Sequence, residues 1–298
     1  MNPRDYSSRD AVVRHAVYAS VRRREGVPRE LFSIYWRDVH GPLCSRLPGL
    51  GFYVQQHFDR DRGANLWPLA EGVRRIEATI DGSAELGFEN LVDRSAFAEA
   101  ATMLYSDEQN FIGEAIAYDL PHGSQTLVDR EEDGTRNGPD LLHRVHVYMS
   151  RRLGGETDGW LHDTCLRFAA DPRIRKVKLH LGTSYDNARP APPSPNVQHL
   201  VEKDRLDLVI AEVAFTSARE ARSFFAGALF QQALKQQAHF VEALGAYLVT
   251  GFYVFVRDRH PTTAGLRGSR QAELIDTVGA ANQLETAVET LFQRGARP

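Results

Sequence analysis

The sequence predicts an α+β protein made of two βαββαβ units whose antiparallel sheets face each other as a barrel within one chain. The chain has 298 residues, roughly twice the length of an ordinary domain. Displaced by 130 positions, residues 14–22 match residues 144–152 at five of nine positions. The polar residues 129–140 separate the two similar parts and predict a linker. Together these observations favour an internal duplication.

In the first half, alternating residues 16–21 predict a strand, and the apolar spacing over 28–47 predicts a helix that Pro48 and Gly49 end. The later elements are predicted as strands at 50–58, 84–91 and 114–120 and a helix from 93 or 95 to 109. This order is βαββαβ, the ferredoxin-like unit with helices on one face of its sheet.

The second half repeats the order. Its predicted elements are strands at 142–150, 175–181, 206–215 and 246–256 and helices at 158–170 and 217–244. We therefore expect repeat domains at 1–128 and 141–258, a linker at 129–140, and an extension at 259–298 with a helix over 269–292. Because each sheet has helices on one face only, the two bare faces are expected to cover each other.

Polar aromatic side chains are predicted to collect between the two sheets, because neighbouring residues of a strand face opposite sides. The alternation places Tyr18, His146 and Tyr148 on the bare faces, and we assign Tyr53, Gln55, His57 and His180 to the same layer. Such a layer predicts a semi-polar cavity for a small molecule. The alternative is the solvent-exposed face of an open sheet.

The first helix carries the most informative motif. Phe32, Tyr35 and Trp36 have the spacing of a buried helical stripe. His40-Gly41-Pro42 interrupts that stripe, and a histidine before such an interruption can direct its imidazole toward the neighbouring strands.

This segment resembles the EthD family of the dimeric α+β barrel superfamily. The similar residues are Phe32-x-x-Tyr-Trp-x-x-x-His-Gly-Pro42, Leu47-Pro-Gly-Leu50 and the strand Phe52-Tyr-Val-Gln-Gln-His57. The resemblance covers residues 14–120, and the second half has Trp160-Leu-His-Asp-Thr-Cys165 in place of the motif, as in a degenerate copy. It implies a ferredoxin-like fold and a barrel cavity, in a superfamily that includes dehydratases, decarboxylases, cyclases, isomerases, oxygenases and haem enzymes.

We expect a cofactor-free lyase or isomerase for a small oxygenated, aromatic or cyclic compound. His40 is the candidate general acid and base, because imidazole titrates near neutral pH, and Tyr35 and His57 are the candidates for assisting it. The candidate binding residues are Trp36, Tyr18, Tyr53, Gln55, His146, Tyr148 and His180.

Two alternatives remain open. The first is a binding or accessory protein without chemistry, which the same cavity would serve. The second is a haem or metal enzyme, although His143 and His146 are three apart in a predicted strand and so face opposite sides.

Composition limits the partners. The net charge of −3 gives no overall field for nucleic acid or an anionic membrane. The sequence has no uninterrupted apolar stretch of membrane-spanning length and no apolar leader core, and its two cysteines suit a reducing compartment. We expect a cytoplasmic protein with a small-molecule ligand, no metal, nucleic-acid or membrane partner, and a possible homodimer through the C-terminal helix.

Overall fold

The computed structural model describes residues 4–59, 66–188 and 194–293. The strands are β1 (His15–Arg23), β2 (Phe52–Asp59), β3 (Arg74–Arg75), β4 (Gly82–Phe88), β5 (Ile112–Leu120), β6 (Gln125–Asp129), β7 (Asn137–Pro139), β8 (His143–Arg151), β9 (Ile174–Leu181), β10 (Thr183–Ser184), β11 (Leu208–Phe215), β12 (Val241–Arg257) and β13 (His260–Pro261). The helices are α1 (Arg29–Tyr35), α2 (Gly41–Ser45), α3 (Leu91–Ala100), α4 (Thr102–Glu108), α5 (Thr157–Ala169), α6 (Lys203–Leu206), α7 (Ala218–Ala226), α8 (Ala228–Phe240), α9 (Thr263–Arg267), α10 (Ser269–Val278) and α11 (Thr286–Gln293).

The two halves have the same sheet topology. In the first half the strand order is β5-β1-β4-β2, and in the second half it is β12-β8-β11-β9. In both, the strands are antiparallel and the first and third in chain order are central. The fold class predicted from the sequence, two ferredoxin-like repeats, is confirmed.

The two sheets join into one ring of strands. β2 of the first half pairs with β12 of the second along one seam. At the other seam β10, which directly follows β9, pairs with β5, while β6, which follows β5, pairs with β9. This closure removes most of the free sheet edges.

The predicted helix at 217–244 is shorter in the structure. Gly227 is extended and separates α7 from α8, and Val241 starts β12. β12 has 17 residues because it serves both sheets, pairing with β8 at one end and with β2 at the other. The predicted helix at 269–292 is also divided, since Gly279 ends α10 with a φ of 68°.

Aromatic polar groups fill the space between the sheets. The Tyr18 hydroxyl lies 2.8 Å from Nδ1 of His146 and 2.7 Å from the hydroxyl of Tyr148. The His180 ring lies 4.7 Å from that of Tyr18. All four side chains are buried. The sequence prediction that these four residues share the inner layer agrees with the structure. Their side chains pack against one another there.

A cluster of charged side chains also lies inside the barrel. Arg144 is fully buried and pairs with Asp140 at 2.7 Å, with Glu131 at 2.8 Å and with Glu212. Lys176 contacts Asp129 at 3.3 Å. Three of these carboxylates come from the polar segment 129–140, so this segment supplies counter-ions to the core. A buried charge is stable only when it is paired in this way.

Among residues 4–59, 66–188 and 194–293, no helix combines the length and the apolar character that a membrane span requires.

We predict that acid destabilises this interior through its histidines. Burial lowers the pKa of His146 and of His180 to about 3. Between pH 6.5 and 3 the unfolded imidazoles bind protons that the folded ones do not. The free energy of unfolding should therefore fall with falling pH by about 1.4 kcal/mol per pH unit for each histidine, and the full stabilisation should be present above pH 6.5.

Histidine NMR titration combined with urea unfolding at each pH checks this prediction. The expected result is that neither imidazole titrates before the protein unfolds. Titration of His146 and His180 near pH 6.5 in the folded protein would contradict it.

Candidate functional site

A cavity of about 130 Å³ lies between the first sheet and its own helices. Its floor is the apolar face of β1, β4 and β5, including Val17, Leu86 and Ala117. The cavity is therefore on the opposite side of this sheet from the barrel interior, where Tyr18 lies. This corrects the sequence expectation of a cavity between the two sheets.

The helical motif places His40 in the wall of this cavity. The helix continues through Gly41 and Pro42, because one wide turn lets the N–H of Gly41 bond to the carbonyl of Trp36, five residues earlier. Gly41 is needed for packing, since a β-carbon there would lie 2.5 Å from the ring of Phe255. His40 is 4 % exposed and its ring packs edge-on against Phe111 at 5.0 Å. Such wide turns are frequent at functional sites.

Asp107 orients His40. Its Oδ2 lies 2.9 Å from Nδ1 of His40, and its Oδ1 accepts hydrogen bonds from the Tyr35 hydroxyl at 2.6 Å and from the Asn110 amide at 3.0 Å. Burial would raise the pKa of Asp107, but the bonds from His40, Tyr35 and Asn110 outweigh it and hold the pKa below its usual value. The carboxylate is therefore ionised at neutral pH and can only accept, so Nδ1 of His40 carries a proton.

This pairing leaves Nε2 of His40 as the ring atom available to a ligand. No hydrogen bond reaches it from the described residues, and a neutral imidazole with its proton on Nδ1 has a lone pair there. Burial and the bond to Asp107 raise the pKa of Tyr35 to about 12, so Tyr35 remains a neutral donor to the carboxylate.

A second chain of hydrogen bonds positions Tyr53. Gln55 Nε2 donates to the Tyr53 hydroxyl at 2.6 Å, and Gln55 Oε1 lies 3.3 Å from Nε2 of His57. Nδ1 of His57 lies 2.6 Å from the Ser33 hydroxyl, and Trp36 stacks on the ring at 4.6 Å. The Tyr53 hydroxyl accepts from Gln55 and so can donate its own proton, for which Cys44, another lining residue, is a neighbouring partner in the absence of a ligand. Burial keeps the pKa of Tyr53 well above its usual value.

Glu108 places a carboxyl group in the cavity wall. Its Oε2 is hydrogen-bonded to the hydroxyl of Ser194, which also lies 3.3 Å from the carbonyl of Tyr105. Within the described part of the chain Glu108 has no ion pair. Burial raises its pKa to about 7, against the opposing effect of Ser194. Glu108 can therefore carry a proton near neutral pH.

The structure divides the residues predicted for the site into three groups. His40, Trp36 and Tyr53 line the cavity. Tyr35, Gln55 and His57 lie behind its wall and orient those residues. Tyr18, His146, Tyr148 and His180 lie in the barrel interior. Alternation along β2 explains the division: Tyr53, Gln55 and His57 face the helices, whereas Phe52, Val54 and Phe58 face the second sheet.

Sequence reasoning missed four polar residues of the site. Asp107 and Glu108 end α4, and no spacing links them to His40. Ser194 and His199 belong to the second half, for which the sequence predicted only His146, Tyr148 and His180 as binding residues. Only the packing of α4 beside the first helix could have suggested the carboxylates. The described residues contain no group of three or more His, Cys, Asp or Glu side chains that could hold a metal ion.

Infrared spectroscopy can detect the proton on Glu108. At pH 6 we expect a carbonyl band of a protonated carboxyl group, and this band should disappear as the pH rises through about 7. The band should be absent in Glu108→Gln and unchanged in the exposed control Glu132→Gln. A wild-type spectrum identical to that of Glu108→Gln at pH 6 would show that the carboxyl is ionised.

The chain is distantly similar to several solved structures. A protein from Fusobacterium nucleatum subsp. nucleatum, provisionally named a monooxygenase, is 7 % identical, with a TM-score of 0.49 and coverage of 81 % of this chain and 94 % of that one. A similarly named protein from Lactobacillus acidophilus is 8 % identical, with a TM-score of 0.43 and coverage of 80 % of this chain and 94 % of that one. An anthrone oxidase-like protein is 9 % identical, with a TM-score of 0.46 and coverage of 81 % of this chain and 93 % of that one. These likenesses are too weak to support a statement about activity.

None of the curated proteins matches this chain in sequence. Residues 24–115 match the EthD domain. The match includes the histidine motif, the strand with Tyr53, and the end of α4 with Asp107 and Glu108. This match over residues 24–115 confirms the resemblance seen in the sequence motif.

Proposed function

We propose that this protein is an enzyme that moves protons on a small, one-ring oxygenated compound in the helix-side cavity, as a lyase or an isomerase does. The observation that supports this proposal best is the pair of His40 and Asp107, 2.9 Å apart, with Nε2 of the imidazole left free in a largely apolar wall. A carboxylate that fixes the tautomer and orientation of a histidine prepares it as a general base.

In the proposed reaction, Nε2 of His40 takes a proton from a carbon next to the ligand's carbonyl group. The electron pair of the broken C–H bond moves toward the carbonyl oxygen. Tyr53 and protonated Glu108 are the available donors to that oxygen, and hydrogen bonds placed where charge develops lower the barrier. Return of the proton to another carbon completes an isomerisation, whereas loss of a neighbouring leaving group completes an elimination.

The apolar floor suits this chemistry because it excludes water from the developing charge. Neither cysteine is a candidate nucleophile, since burial raises the pKa of Cys44 and of Cys165 far above neutral pH. The alternative function is binding without chemistry, which the same apolar cavity would allow.

Exchange of carbon-bound protons tests the proposal before the natural substrate is known. We expect the protein to accelerate the loss of α-proton NMR signals from cyclohexanone or cyclohex-2-enone in D₂O. His40→Ala should lower the protein-dependent rate by about 10²–10⁴, with circular dichroism confirming the fold. His260→Ala, an exposed histidine on β13, is the matched control and should leave the rate unchanged.

Equal rates for the wild type and His40→Ala would remove His40 from the mechanism. A wild-type protein that binds these compounds and returns them without exchange would favour the binding function.

A further inference from the structure

We propose that the ligand of this cavity is a neutral one-ring compound with a hydroxyl group, and that His199 of the second half accepts the hydrogen bond from that hydroxyl. The inference rests on the proposed function because it concerns the same cavity. It assigns ligand selection to a residue outside the matched domain at 24–115.

The size of the cavity sets the size of the ligand. Its volume is about 130 Å³, and an apolar cavity of about 150 Å³ holds one benzene molecule. The cavity is therefore sized for a ligand of about one six-membered ring.

The protonation of His199 follows from its partner. Nδ1 of His199 lies 2.8 Å from the carbonyl oxygen of Ala115. Because a carbonyl oxygen can only accept, Nδ1 carries a proton, and in the neutral imidazole Nε2 is then an acceptor. Nε2 is buried, His199 lines the cavity, and no hydrogen-bond partner for Nε2 exists among the described residues. Buried polar atoms are nearly always paired, so this acceptor calls for a donor from the ligand.

Backbone pairing holds His199 in place. The N–H of Gln198 donates to the carbonyl of Gly113 and the N–H of Ala115 donates to the carbonyl of Gln198, both at 3.0 Å. Nearby, the Asn187 side chain makes two 3.0 Å hydrogen bonds with the backbone of Ala117. The second half thus continues the edge of β5 and carries a fixed acceptor at its end.

The charges around the cavity favour a neutral ligand. Arg94 lines the cavity, but its guanidinium pairs with Asp119 at 2.8 Å. Glu108 adds a carboxyl group to the wall, and the described lining residues include no other arginine or lysine. An ionised carboxylate in this cavity would lack a free counter-ion, which is costly in a buried apolar site.

Phenol, toluene and benzoate are suitable test compounds, because they share one ring and differ in the hydroxyl donor and in charge. We expect calorimetric titration at pH 8, where imidazole is neutral, to show phenol binding at least about tenfold more tightly than toluene, because toluene leaves the acceptor unpaired. Benzoate should show no saturable binding.

Variants at position 199 isolate the acceptor. His199→Phe removes it while keeping an aromatic ring, so phenol affinity should fall by about tenfold and toluene affinity should stay within about twofold. His199→Gln restores an acceptor and should recover part of the preference for phenol. His162→Phe, on the exposed side of α5, is the matched control and should behave as the wild type.

Unchanged toluene binding shows that the cavity of each variant is intact. Equal affinities for phenol and toluene in the wild type, or undiminished phenol affinity in His199→Phe, would overturn the proposal. The two proposals fail separately. A protein that prefers phenol but exchanges no protons loses only its catalytic role, and one that exchanges protons without this preference loses only the assignment of His199.

Discussion

The closure of two sheets around a polar, charged interior fixes how the two halves of this protein meet. Arg144 is buried among three carboxylates, and Tyr18 connects the sheets through His146 and Tyr148. Groups of this kind are tolerated in a core only when their partners are in place. The interior therefore holds the two halves in one register. The cavity lies on the other face of the first sheet, beside its helices.

The same closure makes the cavity a joint product of both halves. β10 brings the second half to the edge of β5, and the chain beyond it supplies Ser194 to Glu108 and His199 to the cavity wall. The two repeats thus contribute differently: the first supplies the histidine with its carboxylate, and the second supplies the far wall. This division is consistent with a motif that is recognisable in the first copy alone.

The strands, their order and the motif of the first helix could be predicted because they depend on local periodicity and on short sequence patterns. The layer occupied by Tyr53 and His57 could not, because alternation sorts side chains into two faces without saying which face the helices cover. Asp107 was also beyond reach, since its contact with His40 joins residues 67 positions apart. The place of His199 in the cavity wall could not be predicted either, because it depends on how the halves meet.

A crystal structure of the protein with phenol tests the central claim, that the ligand site is the helix-side cavity walled by both halves. We expect one ordered phenol between the first sheet and its helices, with its hydroxyl within hydrogen-bonding distance of Nε2 of His199 and its ring beside His40. Phenol bound between the two sheets against Tyr18 and His146, with the helix-side cavity empty, would contradict it.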